Sequence, residues 1–242
     1  MPETRLSRRL HAAFLLVREC ESVADIGTDH ALLPIALVKS GKVKSAIASD
    51  INKGPLESAR ENIFREGLSD RIKLSLADGI DGECKSVKNF VVAGMGGELI
   101  ADIVLRAPFL KSPDIHLVLQ PMTKVHVLRK ALWDNGFDIE NEVHLEEDGH
   151  LYTVMSVVFV GEKYEGDVEE TLLGKRAFLG TYSHESLAAL LKMCEKYITE
   201  FSKKIKGKNL ASSSTEEEEE VMEKLSAFYE EIKKEKDKHE TL

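Results

Sequence analysis

Apolar and polar residues alternate in two different rhythms along this chain, and the change between them divides it. Through the first half, short β-branched runs of strand length alternate with longer stretches of helical spacing. The strand-like runs are Val23 to Ile26, Ser45 to Ser49, Ile72 to Leu76, Phe90 to Ala93 and Ile115 to Leu119. Helical patterns occupy Leu32 to Lys39, Pro55 to Glu66, Glu98 to Leu105 and Lys124 to Asn135. Pro55 suits a first helical turn, where its missing donor is not needed. Such alternation predicts βαβ units and a parallel sheet. Two later runs, Ile139 to Glu147 and Leu151 to Val160, meet at Asp148-Gly149-His150, and Asp-Gly is a strong hairpin signal.

After Gly161 the composition turns to lysine and glutamate with few β-branched residues, which places a domain boundary there: an α/β domain over 1–160 and a helical one over 161–242. Leu187, Leu191, Cys194, Ile198, Phe201 and Ile205 recur at spacings of three and four, as do Val221, Leu225, Phe228 and Ile232. These narrow seams predict two helices packed as an antiparallel, coiled-coil-like pair, with a polar break at 207–214. Thr215 and Glu218 offer a capping box, and the run Glu216 to Glu220 then occupies the first turn as a solvated helix face.

Composition narrows the class. A chain of 242 residues with 43% hydrophobic residues can bury its own core without metal or disulfide staples. No apolar run approaches membrane-spanning length, and the N-terminal stretch to Val17 reads as an amphipathic helix rather than a signal peptide. Three scattered cysteines without metal or redox-pair spacing suit a reducing, cytoplasmic compartment and no metal centre. A net charge of −9 argues against whole-surface attraction to nucleic acid and leaves a local basic patch. Arg5, Arg8 and Arg9 would share one face if residues 5–19 are helical; a solvated face is the plain alternative.

The chemistry is expected just beyond the carboxyl ends of the strands, where open α/β sheets bind ligands. Asp25-Ile26-Gly27-Thr28-Asp29-His30 follows the first strand, with Gly27 allowing a tight turn. A dinucleotide fingerprint would need glycine where Asp29 stands, and that carboxylate would repel a diphosphate. S-adenosylmethionine, with its ammonium and sulfonium, suits the charge; alternatively Asp29 caps the next helix. Asp50, followed by Ile51, ends the second strand, where an acid can accept ribose hydroxyls. Asp78-Gly79 ends the third, where a carboxylate could accept the adenine amine. Ala93-Gly94-Met95-Gly96-Gly97 ends the fourth, so that backbone lines the place where methyl group and acceptor meet. No Asn/Asp-Pro-Pro-aromatic motif for polarising an exocyclic amine is present, which favours an acceptor with a free lone pair.

The segments DIGTDHALLP at 25–34, ASDINKGP at 48–55, ADGI at 77–80, VAGMGG at 92–97 and LQP at 119–121 resemble the bacterial tRNA (adenine22-N1)-methyltransferases of the TrmK family. The chain departs from that pattern at Thr28, Leu32 and Met122, where serine, tyrosine and asparagine are expected. The resemblance implies a class I Rossmann-like methyltransferase fold with a C-terminal helical extension, S-adenosylmethionine as cofactor and tRNA as substrate. It implies a cofactor site of Asp25, Gly27, Thr28, Asp50, Ile51, Asp78, Gly79, Ala93, Gly94 and Met95. Asp29 is then the catalytic carboxylate, with His30 orienting it. Substrate contacts are expected from Arg5, Arg8, Arg9, Gly96, Gly97 and Tyr152, with Lys124, Arg129 and Lys130 as further candidates for the RNA backbone, in a protein expected to act as a monomer. A small-molecule methyltransferase and a non-catalytic RNA-binding module remain the alternatives.

Overall fold

The computed structural model describes residues 6–178, 180 and 184–240. Helix α1 (Arg8–Leu16) begins at Ser7, whose hydroxyl accepts from Leu10 N at 3.4 Å. It ends where Lys42 Nζ donates to the carbonyls of Phe14 and Leu15, at 2.8 and 2.9 Å. A lysine there satisfies carbonyls that the helix itself leaves open. Arg5 lies outside the described residues.

Seven strands form one sheet: β1 (Cys20–Ile26), β2 (Val43–Asp50), β3 (Ile72–Leu76), β4 (Asn89–Gly96), β5 (His116–Thr123), β6 (Phe137–Glu147) and β7 (His150–Phe159). Their order is β3-β2-β1-β4-β5-β7-β6. The first five run parallel, and β7 returns antiparallel to β5. Val23 to Ile26 and Asn89 to Val92 are buried throughout, because helices cover both faces of a central parallel strand. That is why these segments read as short, mainly apolar runs rather than alternating ones.

The parallel strands are joined through α2 (Leu32–Lys39), α3 (Lys53–Arg65), α4 (Gly97–Leu105) and α5 (Val125–Asp134). The apolar faces of α4 and α5 meet the sheet in a core that includes Phe90, Ile100, Leu117, Leu128, Trp133 and Phe137. The hairpin turns on Asp148 and Gly149, at φ 50° and 76°, the two-residue geometry that matches the strand twist. At the amino end of the sheet His116 is buried, with Nδ1 3.0 Å from Asn89 Oδ1 and Nε2 2.7 Å from Ser156 Oγ. Asn89 Oδ1 also accepts from Arg18 N, so the network assigns the proton to Nδ1 and makes Nε2 the acceptor.

The chain divides into two compact units, Met1–Asn141 with Thr153–Glu165 and Glu142–Tyr152 with Gly166–Leu242. The sequence pattern places the boundary near Gly161, whereas the tip of the hairpin goes with the helices. Inside the second unit Leu151 packs on the helical core and His144 N donates to Ser186 Oγ at 3.1 Å.

That unit contains α6 (Val168–Leu173), α7 (Lys175–Phe178), α8 (His184–Leu210) and α9 (Glu216–Glu240). Leu187, Leu190, Met193 and Cys194 of α8 share a core with Val221, Leu225, Phe228 and Ile232 of α9. The expected Thr215–Glu218 capping box does not form. Thr215 Oγ1 donates to Glu219 Oε1 at 2.7 Å, while Glu218 is buried and takes Lys204 and Lys208 at 2.6 and 2.7 Å. Those two ammonium groups hold its carboxyl down at about 2. One member of the glutamate run is therefore an internal tie rather than a solvated charge. Among the described residues no helix is long and apolar enough to cross a membrane.

Candidate active site

Strand β1 ends at Ile26, between Ser49 of β2 and Val92 of β4. Here the strand order reverses direction, and the crevice between β1 and β4 is the position where such sheets bind ligands. The amides of Gly27 and Thr28 both donate to Ser49 O at 2.8 Å, which turns the chain sharply. Gly27 has φ +76°, and a Cβ on it would stand 2.0 Å from Met95 Cε. The turn and the close approach together require glycine.

A cavity of about 320 Å³ opens at this point. Arg9 and Leu10 of α1 line it, with Asp25, Gly27 and Asp29 from the β1 end and Leu32 and Leu33 from α2. Ala93 and Gly94 of β4 and Gln120 and Met122 of β5 complete the wall. The β4–β5 register shifts between Ala93 and Met95 and again between Met95 and Gly96, an irregularity that re-aims the backbone beside the cavity.

Asp25 is buried, and burial pushes its carboxyl up to about 6; the Thr28 hydroxyl opposes the rise and the charge of Asp50 adds to it. Such a group favours an organic cation as neighbour, because a positive partner offsets the cost of its desolvated charge. Asp29 and His30 are exposed, with His30 Nε2 3.2 Å from Asp29 Oδ1. His30 and Ala31 have φ of 60° and 54°, a left-handed pair of non-glycine residues. Ala31 occupies the N-cap of α2 and no side chain caps that helix, so the alternative role for Asp29 is not realised.

Asp50 and Asp78 stand at the ends of the next two strands, outside the cavity wall. Asp50 Oδ1 accepts from Asn52 N at 2.7 Å, and the neighbouring Ile51 is 60% exposed. Asp78 is held by Arg106, Nη1 to Oδ2 at 3.4 Å and Nη2 to Oδ1 at 3.5 Å, and Asp102 braces Arg106 Nε at 2.9 Å. Gly79 is buried beneath Arg106 and Ile103.

Of the glycines that end β4, Gly94 faces the cavity and Gly96 lies against Thr123. Gly97 is different. A Cβ there would meet Lys124 O at 2.4 Å, so its lack of a side chain serves the packing of α4 against the end of β5. Gln120, which sequence reasoning passed over as a site residue, is buried at the cavity wall. Its Oε1 accepts from Gly94 N at 3.1 Å and from Arg9 Nη1 at 3.3 Å, and its Nε2 donates to Pro121 O at 3.0 Å. The available signal was an amide side chain closing the apolar run of β5, where a buried polar group needs partners.

The arginine face divides: Arg8 is exposed while Arg9 is half-buried and turned to the cavity. Arg129 is fully buried in α5 and is removed from the residues that could meet a phosphate in solvent. Lys124 pairs with Glu98 at 2.6 Å and Lys130 with Asp134 at 3.3 Å. Tyr152 belongs to the second unit, half-buried, its ring centre 6.4 Å from that of His150.

Comparison with known proteins agrees with this fold. A family model for a methyltransferase domain matches residues 6–155. The tRNA (adenine(22)-N(1))-methyltransferase of Bacillus subtilis is 35% identical over 159 residues, covering 64% of this chain and 66% of that protein, just under two thirds of its length. The crystal structure of the B. subtilis m1A22 tRNA methyltransferase TrmK superposes with a TM-score of 0.76 at 28% identity, covering 96% of this chain and 99% of that one. Streptococcus pneumoniae Sp1610 in complex with S-adenosyl-L-methionine gives 0.75 at 29% identity, covering 90% and 100%. With the Rossmann-like sheet, the crevice cavity and a matching model over 6–155, the chain belongs to the methyltransferase-domain family.

Proposed function

We propose that this protein transfers a methyl group from S-adenosylmethionine to N1 of adenine 22 in the D-arm of tRNA, acting as a cytoplasmic monomer. The observation that carries the reading is an acidic, glycine-backed cavity at the β1/β4 crevice of a chain that resembles a tRNA m1A22 methyltransferase over 96% of its length.

The donor set fits the cofactor. Asp25 and Asp29 suit a ligand with a cationic end, where a dinucleotide would present a diphosphate to two carboxylates. Bound there, S-adenosylmethionine supplies a methyl group activated by a positively charged sulfur. Asp25 accepts from the ammonium, and Asp50 takes the ribose hydroxyls through the oxygen that Asn52 does not engage. Asp78, oriented by Arg106, accepts from the adenine amine, with Ile51 and Gly79 beside the ring. Ala93 and Gly94 form the wall behind the reacting groups, with Met95 against Gly27 and Thr28 buried next to it in the turn.

Adenine N1 carries an in-plane lone pair and is unprotonated at neutral pH. It forms the new N–C bond while the S–C electron pair stays on sulfur, so no strong base is needed. Asp29 accepts from the N6–H of the target and offsets the positive charge that the base acquires. His30 orients that carboxylate. N1 lies on the pairing edge, so the nucleotide must be unstacked first, with Gly96 and Arg8 as candidate contacts.

The test is incubation with S-adenosylmethionine and unmodified transcribed tRNA, nucleoside mass spectrometry for 1-methyladenosine, and mapping by reverse-transcription arrest. A single arrest at position 22 is expected. Tight cofactor binding with no methylated nucleoside would overturn the tRNA assignment in favour of a small-molecule acceptor.

A further inference from the structure

Among the described residues the cavity wall carries one cation beside its carboxylates, and the cation is held in place from inside the fold. Arg9 leaves α1 and places Nη1 3.3 Å from Gln120 Oε1 and 3.0 Å from Met122 Sδ. Gln120 is 1% exposed and over-determined, since its amide also engages Gly94 N and Pro121 O. Two contacts on one nitrogen fix the plane of the guanidinium against the β4–β5 end. That preorganises a planar fork whose geometry matches a carboxylate bidentately. A loose surface arginine awaiting a phosphate would show no such anchoring.

We propose that Arg9 anchors the α-carboxylate of the cofactor's amino-acid end and that Gln120 is its positioning residue. The inference rests on S-adenosylmethionine being the ligand, as read above. A cavity with carboxylates alone would hold an amine at least as well as an amino acid. Adding one guanidinium to Asp25 and Asp29 makes the wall complementary to a zwitterion, ammonium toward the acids and carboxylate toward Arg9. The role differs from the phosphate contact expected of the Arg5, Arg8 and Arg9 spacing. Gln120 also ties Arg9 to the Gly94 amide, so that α1, β4 and β5 present one wall to the ligand.

The experiment is calorimetric titration of the full-length protein with S-adenosylmethionine and with its decarboxylated analogue, which keeps the ammonium and sulfonium but lacks the carboxylate. The wild type is expected to prefer the complete cofactor by about tenfold to a hundredfold, the range of a charge-assisted pair. Arg9→Gln should weaken only the complete cofactor and bring the ratio to near one, with Arg9→Lys intermediate. Gln120→Leu should lower the ratio while the guanidinium is still present. Affinity for tRNA should be little changed by Arg9→Gln. A ratio that survives Arg9→Gln, or a variant that loses both ligands equally, overturns the assignment. A wild type that binds neither ligand removes the cofactor reading itself, an outcome separate from an unchanged ratio.

Discussion

Asn62 of α3 donates its side-chain amide to the backbone carbonyl of His30 at 3.0 Å. The carbonyl belongs to the left-handed pair His30 and Ala31, a conformation that persists only where its surroundings hold it. Asp29 precedes that pair directly, so Asn62 braces the backbone that carries the carboxylate. Asn62→Ala is expected to lower the single-turnover rate about tenfold, with cofactor affinity changed less than about threefold and about 1 kcal/mol lost in stability. Rapid-quench methylation and urea unfolding on the same preparation separate these effects.

Asp29→Asn should cost on the order of a hundredfold to a thousandfold in the methyl-transfer rate if its charge acts in the transition state. Because α2 has no side-chain cap, the melting temperature should stay within the scatter of surface substitutions. A loss of stability on the scale of a removed helix cap, with the rate preserved, would contradict both the structure and the assigned role.

Asp25 gives the site a pH dependence. Its carboxyl sits at about 6 in the folded chain against an ordinary 3.8, so it takes up a proton as pH falls through about 6. Cofactor affinity should fall across that interval, measured by calorimetry from pH 8 to 5, and Asp25→Asn should flatten the dependence. The sign for folding is opposite. The raised group favours the fold at low pH and penalises it as pH rises from about 4 to about 6, so Asp25→Asn should stabilise the free protein at pH 8 by up to about 3 kcal/mol.

His116 acts in the other direction. Burial, with the nearby charge of Arg18, lowers it to about 4 from an ordinary 6.5. The stability it contributes as a neutral ring is complete above 6.5 and is lost as pH falls toward about 4. Urea midpoints at pH 7.5 and 4.5 should differ more in the wild type than in His116→Gln, which keeps hydrogen-bonding capacity without the titration. Equal differences would mean that His116 is not the acid-sensitive group.

Much of the architecture was legible because the central strands are buried on both faces and so spell out apolar runs. Val23 to Ile26 and Phe90 to Val92 are such cases, and the Leu32–Lys39 helix was read with its observed ends. The carboxylates at strand ends were legible because the crevice rule depends on strand order alone. What escaped was decided by long-range partners. Glu218 looked like one of five solvated glutamates until Lys204 and Lys208 were brought to it from the preceding helix. Gln120 bonds to a residue 111 positions away, and Gly97 is explained by a carbonyl just past the end of β5. Helix α6 was missed because six residues are too few to show a period, although Asp167 with Glu170 three places on was a capping signal.

The hairpin that closes the sheet has a consequence for how the two units can be parted. Its tip, Glu142–Tyr152, is counted with the helices while its stems belong to the sheet, so the chain passes between units at three places rather than one. A truncation at residue 161 would not excise a bead from a string: it would strip the helical cover from Leu151 and expose it to water. The helical unit is thus an insertion completed by an extension. It can be transplanted to another methyltransferase domain only together with the hairpin, and domain shuffling at a single splice point would leave an unfinished core on one of the products.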